Sequence, residues 1–166
     1  WFRIAPQYYP EPVHVLPAEP MGAGQAHTCA STGDEEVNEV TCWGRAARGQ
    51  LDGAPSPSSL TIDSDARGLA LDAWILDGGR AHTCALLAIG GVRCWGDNEY
   101  GQSDPTSTSS EERWNPVSPT TVQHPMGERF VSVHAAGSRT CALDEHGAAW
   151  CWGRSEERRV GKECFL

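Results

Sequence analysis

Six of the seven cysteines fall into three pairs: Cys29 with Cys42, Cys84 with Cys94, and Cys141 with Cys151. The first two pairs carry a histidine, His27 or His82, two residues ahead of the leading cysteine. Three chemistries suit such groups. Two thiolates and an imidazole offer three ligands of a zinc site. A thiol beside an imidazole is the core of a cysteine nucleophile. Two thiols facing each other across strands form a disulfide or stay buried and reduced. The third pair decides among them, because Arg139 rather than histidine stands two residues before Cys141. A feature that recurs in every unit and survives loss of the histidine is structural. No catalytic residue, metal ligand or cofactor is therefore expected. Disulfides are the expectation for all six cysteines, with reduced buried thiols as the alternative.

The elements that must position these cysteines form a repeat. Gly24 to Gly53, Gly79 to Asp104 and Gly137 to Gly153 align with one another. The leading cysteines are 55 and 57 residues apart. Each unit reads as Gly, then Thr-Cys-Ala, a short connection and Cys-Trp-Gly: Trp43-Gly44, Trp95-Gly96 and Trp152-Gly153. Gly-Gln follows six residues after the Trp in the first two units, as Gly49-Gln50 and Gly101-Gln102. Short apolar runs on either side of a Gly-containing turn predict a β-hairpin in each unit. The predicted register sets Cys84 opposite Cys94, Leu86 opposite Val92 and Thr83 opposite Trp95. In the third unit it sets Cys141 opposite Cys151, Leu143 opposite Ala149 and Thr140 opposite Trp152. Opposed residues at a non-hydrogen-bonded pair have Cα atoms about 4.5 Å apart, the lower end of disulfide reach. A bond closing so short a loop contributes roughly 3 kcal/mol in the chain-entropy model. Because side chains alternate, Cys and Leu share one face and Trp lies on the other. Both faces are apolar, which calls for a stack of small sheets, each covered by the next.

Composition narrows the function. The chain has 166 residues, 18 of them Gly and 11 Pro, which argues for turns rather than long helices. A net charge of −9 disfavours nucleic acid as a partner, since phosphate binding needs clustered Lys and Arg. No apolar run is long enough for a membrane span. Asp63-x-Asp65-x-Arg67-Gly68 departs from a calcium loop, with Arg67 and Trp74 at ligand positions, and is read as a turn. Asp34, Glu35, Glu36 and Glu39 read as a solvated loop, and Asp104 to Pro119 as a polar connection. Leu69 to Asp77 and Val117 to Val133 are expected to supply the remaining strands. No phosphate-binding loop, dinucleotide fingerprint or zinc-protease motif occurs. The only Lys, Lys162, lies in Arg154 to Cys164, which resembles the conceptual translation of a common short-read sequencing adapter. We treat residues 154–166 as a non-native tail; it would also account for the seventh cysteine, Cys164.

The pattern Gly-x-x-His-Thr-Cys-Ala-Leu, hairpin, Cys-Trp-Gly-Asp-Asn-x-x-Gly-Gln, fullest in Gly79 to Gln102, resembles the regulator of chromosome condensation repeat, in its cysteine-bearing bacterial form. The first unit departs from it at Arg45-Ala46, which stand in place of Asp-Asn. The resemblance implies an all-β fold: a partial β-propeller, about three repeats of a seven-bladed ring, with four-stranded antiparallel blades. Residues 1–23 are then a remnant of a preceding repeat or a linker, and 24–153 hold three repeats, 24–78, 79–136 and a truncated 137–153. Family members include an exchange factor for the GTPase Ran and a bacterial inhibitor of β-lactamases. Fold alone does not carry either activity over. The function expected is a non-catalytic protein-binding module, a fragment of a secreted, periplasmic or surface propeller. The alternatives are a structural or adhesin segment, or an enzyme regulator. The expected partner is a protein, with no nucleic acid. Sequencing the locus from independent DNA is expected to show a frame that departs from the adapter-like tail after Gly153; an intact frame through Cys164 would refute the tail's foreign origin.

Overall fold

The computed structural model describes residues 20–33, 38–51, 63–70, 73–107 and 117–154. Among them every regular element is a strand, and the strands form three antiparallel sheets. The first sheet holds β1 (Met21–Ala23), β2 (His27–Gly33), β3 (Asn38–Gly44) and β4 (Asp63–Ala70) in that order. The second holds β5 (Ala73–Gly78), β6 (His82–Leu87), β7 (Val92–Gly96) and β8 (Val117–Val122). The third holds β9 (Phe130–Ala136), β10 (Arg139–Asp144) and β11 (Ala149–Gly153). Consecutive strands pair, as short connections favour. The sheets meet through their first strands, β1 against β5 and β5 against β9. This is the hub of a partial propeller.

The hairpin register follows the residue pattern. Cys84 faces Cys94, Leu86 faces Val92 and Thr83 faces Trp95. Cys141 faces Cys151 and Thr140 faces Trp152 in the same way. The phase of the sheets is less obvious from sequence. Each begins one strand before the Thr-Cys hairpin, so Ala73–Gly78 opens the second sheet and Phe130–Ala136 opens the third. The stretch Leu69 to Asp77 is accordingly shared between two sheets. Asp63–Ala70 is not the turn expected of its acidic spacing but strand β4, because Gly44 pairs with Asp63 and Cys42 with Arg67 along β3. The acidic segment Asp34 to Glu36 and the tail beyond Arg154 lie outside the described residues, as does most of 1–23. Glu39, expected in the same solvated loop, is instead in β3, paired with Thr32 and Ala70.

The glycine that closes Cys-Trp-Gly has a local cause. Gly44, Gly96 and Gly153 all have φ of 100 to 111°. That conformation lets the next amide reach back across the hairpin. Arg45 N donates to Ala26 O at 2.7 Å, Asp97 N to Ala81 O at 2.9 Å, and Arg154 N to Ser138 O at 2.8 Å. A Cβ on Gly96 would sit 2.7 Å from Ala81 O, so both strain and space require glycine.

The core lies between sheets. Cys29, Cys42, Val40 and Leu51 of the first sheet and its following loop pack against Leu76, Ala85 and Trp95 of the second. Cys84, Cys94, Leu86 and Val92 of the second pack against Phe130, Val133 and Ala142 of the third, with Trp152 partly buried alongside. One sheet's cysteine face thus meets the next sheet's Trp face. Trp95 is fully buried, and its indole N–H donates to Gln50 O at 3.1 Å. Trp95→Ala is expected to lose about 3–5 kcal/mol, read as a lower urea midpoint. Ile89→Ser, at a side chain 75% exposed, should change it by no more than about 0.5 kcal/mol.

Candidate functional site

The residues that carried chemical promise are drawn into one buried arrangement, repeated at each junction between sheets. Thr83 hydroxyl donates to Gln50 O at 3.0 Å, and Trp95 Nε1 donates to the same oxygen. Thr140 and Trp152 both donate in the same way to Gln102 O, each at 2.9 Å. The glutamine side chains fold their own loops. Gln50 Oε1 accepts Arg48 N at 2.7 Å, and Gln102 Oε1 accepts Tyr100 N at 2.8 Å. Asp97 accepts Gln102 Nε2 at 3.0 Å, and Asn98 Oδ1 accepts the Ser103 and Asp104 amides. Burial pushes the Asp97 carboxyl up, against the opposing pull of Arg48, whose guanidinium lies 3.5 Å away. Arg48 belongs to the first unit, so this pair also crosses a sheet junction.

Each histidine completes the junction. His27 Nε2 lies 2.8 Å from Thr83 Oγ1, and His82 Nε2 lies 2.8 Å from Thr140 Oγ1. Each threonine already gives its proton to a carbonyl, so it accepts here and the imidazole donates through Nε2. Nδ1 is buried without a partner in both rings. A second proton would sit there as a desolvated charge, and burial accordingly holds both imidazoles down at about 4. The Gly three residues ahead of each histidine leaves room for the ring. A Cβ on Gly24 would meet His27 Cε1 at 2.1 Å, and one on Gly79 would meet His82 Cε1 at the same distance. In the third unit the turn is one residue shorter and Arg139 replaces histidine. Gly137, at φ 57°, closes it, and the Arg139 guanidinium reaches Arg154 O instead.

The structure joins the cysteines as Cys29–Cys42, Cys84–Cys94 and Cys141–Cys151, each with Cα atoms 4.1 Å apart. Sulfurs bonded to each other and an imidazole committed to threonine leave neither a zinc triad nor a thiolate nucleophile at these positions. Thr83 and Thr140 hydroxyls also lie 3.7 and 3.6 Å from Cys29 and Cys84 Sγ.

One cluster of ligating groups was not visible in the sequence. His124, Glu128 and Asp144 bring their side-chain atoms within 4.8 Å of one another. The first two sit on the connection from β8 to β9 and the third is the last residue of β10, so only folding assembles them. Asp144 Oδ1 accepts the His146 and Ala148 amides, and Oδ2 accepts the Trp150 indole N–H at 2.8 Å. The indole bond, aided by the amides and opposed by burial, holds Asp144 down at about 2. His124 Nδ1 accepts the Met126 and Glu128 amides at 3.1 and 3.2 Å. Its proton therefore sits on Nε2, which faces Asp144 Oδ2 at 3.4 Å. A ring whose Nδ1 accepts and whose Nε2 is protonated has no lone pair for a metal, and metal-bound histidines show the opposite arrangement. The cluster fastens the β8–β9 connection to the end of β10.

Solvent meets other side chains. Trp74, Ile89, Met126 and Val131 are exposed, and the strand order places them at one end of the sheets. There the β6–β7 turn, the β8–β9 connection and the starts of β5 and β9 come together. Sequence reasoning missed this surface because none of the four residues belongs to the repeated motif.

The model of the regulator of chromosome condensation (RCC1) repeat matches residues 76–102. Over 83 residues the chain is 31% identical to the probable E3 ubiquitin-protein ligase HERC4 of Homo sapiens, which covers 50% of this chain and 8% of that protein. Over 148 residues it is 27% identical to the E3 ubiquitin-protein ligase HERC2 of Homo sapiens, covering 86% of this chain and 3% of that protein. Among solved structures, human WBSCR16 superposes with a TM-score of 0.70 at 21% identity, covering 82% of this chain and 33% of that one. Yeast RCC1 (Prp20), solved with Kap60, gives 0.67 at 23% identity, covering 82% and 29%. The chain spans a third or less of each of these proteins, and the structural likeness establishes the fold.

Stability should fall in two separate pH windows. His27 and His82 resist protonation when folded but take a proton near 6.5 when unfolded. Their contribution is complete above pH 6.5 and is lost as pH falls to about 4, by at most about 3 kcal/mol each. Asp144 contributes above its ordinary 3.8 and loses that contribution as pH falls toward 2. Urea titrations from pH 8 to pH 2 should show both declines, and His82→Asn should reduce only the upper one, by about half, since His27 remains. A wild-type stability that is level between pH 6.5 and 4 would contradict the assignment.

Proposed function

We propose that this chain, which belongs to the regulator of chromosome condensation repeat family, is a non-catalytic protein-binding module of a β-propeller working outside the cytoplasm. One observation carries the reading. The histidines, cysteines, threonines and glutamines of the motif are spent on one another at the sheet junctions, while the large apolar side chains left to solvent at one end include Trp74, Ile89, Met126 and Val131. Buried groups committed to neighbours hold a scaffold, and exposed aromatic and aliphatic groups on rigid loops suit recognition of another protein. Yeast RCC1 bound to Kap60 offers a precedent on the same fold. The ligase names of relatives are not carried over, because the matched stretches cover 8% or less of those proteins.

An acidic chain has little to offer phosphate, so the partner class is protein rather than nucleic acid. Three cross-strand disulfides fit an oxidising compartment. We also propose that the units 24–78, 79–136 and 137–153 are the evolutionary repeats, offset by one strand from the sheets they build.

Two measurements test this. Alkylation of the native protein under denaturing, non-reducing conditions is expected to find Cys29, Cys42, Cys84, Cys94, Cys141 and Cys151 blocked; free thiols at all six would place it in a reducing compartment. The immobilised full-length protein is expected to retain a protein partner saturably and in fixed stoichiometry, and absence of any saturable partner would overturn the binding role.

A further inference from the structure

The second and third sheets leave a groove of about 320 Å³ between them at the exposed end. Its walls include Trp74, Leu86, Phe130 and Val131, with Arg129 and Glu145 at the rim. Trp74 is 66% exposed and Val131 52%, so large apolar surface faces solvent. An exposed Trp on a rigid strand beside a concavity is the informative kind of exposure, unlike a scattered surface Leu.

The groove is held in shape by contacts across the junction. Arg129 Nε donates to Ile89 O at 3.1 Å and Nη2 to Ala88 O at 3.3 Å. Phe130 N donates to Gly90 O at 3.0 Å, and Glu145 N to Arg129 O at 3.1 Å. These bonds tie the β6–β7 turn to the start of β9 and to the β10–β11 turn. The cavity is therefore formed before anything enters it, which lowers the ordering cost of binding.

Charge selects the occupant. The Arg129 guanidinium is turned onto two carbonyls of the turn. The Glu145 carboxylate has no ion-pair partner among the described residues, and Glu128 stands nearby beside His146, 3.5 Å away. Bonds to neutral carbonyls leave the Arg129 charge in place, so the rim and the adjacent Glu128 set one positive charge against two carboxylates, a net negative charge beside an apolar floor. A second copy of the chain would bring the same net charge of −9 to the contact, which opposes self-association. Building on the protein-binding reading above, we propose that this groove receives a surface loop of a net-basic protein. The loop places one bulky apolar side chain against Trp74 and Val131, and a flanking Arg or Lys against Glu145.

The test uses the full chain and three disulfide-cyclised peptides, with the central sequences Arg-Phe-Arg, Glu-Phe-Glu and Arg-Ser-Arg. Calorimetry is expected to show saturable binding of the first and at least tenfold weaker binding of the other two. Trp74→Ala should weaken the first peptide at least tenfold, and Glu145→Lys should reverse the preference between the first two. Both substitutions lie at solvent, and unchanged melting of each variant would confirm that folding is intact. Equal binding of the Arg-Phe-Arg and Glu-Phe-Glu peptides would overturn the proposal. So would binding indifferent to both substitutions, or no binding of any peptide. A dimer in sedimentation that Trp74→Ala dissolves would make a second copy the occupant and overturn it as well. Retention of a partner by the full-length protein despite both substitutions would refute the groove while leaving the binding role standing.

Discussion

The structure depends on one carbonyl oxygen per junction. Gln50 O receives the Thr83 hydroxyl and the Trp95 indole from the next sheet, and Gln102 O receives those of Thr140 and Trp152. Both lone pairs of each buried carbonyl are used, and displacing that oxygen would strand two buried donors at once, a hydroxyl and an indole N–H. The two donors arrive together because Thr and Trp are opposed across the same hairpin, Thr83 to Trp95 and Thr140 to Trp152. The threonine, having given its proton away, is left as an acceptor for the histidine of the preceding unit. A single constraint thus links His, Thr, Trp and Gly-Gln from two consecutive repeats.

That linkage gives the stack a direction. Each sheet offers its cysteine face and its Gly-Gln loop forward and its Thr-Trp edge backward, so sheets can follow one another only head to tail. Stability is then a sum of junctions more than of separate sheets, as in other repeat architectures. The third unit shows which parts of the device are separable. Thr140 and Trp152 are retained and close the junction behind, while Arg139 replaces the histidine that would serve the junction ahead. The backward half is kept where the forward half has been changed.

The hairpins were legible because register is over-determined. The cysteine pairs, the Leu–Val pair and the Thr–Trp pair all require the same alignment, and a slip of one residue would turn every one of them to the wrong face. The phase of the sheets was not legible, because the opening strands carry no motif. Ala73–Gly78 and Phe130–Ala136 are specified by contact with each other at the hub, a long-range fact that local pattern does not encode. Asp63–Ala70 misled for the same reason, since its acidic spacing looks like a turn and only pairing with β3 makes it a strand. The role of Gly-Gln was hidden too: the motif names the glutamine, but its working atom at the junction is a backbone oxygen. His124, Glu128 and Asp144 had no signal at all, being separated by a loop and a hairpin.

A device that consumes the repeated residues confines recognition to the positions that do not repeat. On the opening strands, Gly22, Asp77 and His134 each pair with the leading cysteine of their unit and so occupy one equivalent site. Two of them face each other across the hub, with His134 Nδ1 3.7 Å from Asp77 Oδ2. Trp74 and Val131 likewise stand one residue before the equivalent pairs Ile75 to Leu86 and Ser132 to Leu143. Gly22 is held to glycine, because a Cβ there would meet Leu76 C at 2.6 Å, and Asp77 accepts the Ala135 amide across the hub at 2.9 Å. Substituting the exposed Trp74, Val131 or His134 instead leaves the carbonyl, hydroxyl and indole of each junction untouched. The buried motif therefore fixes the distance between sheets, and the exposed positions of the opening strands and their loops are free to vary on that fixed frame. A surface assembled from such positions can change its partner without renegotiating the fold.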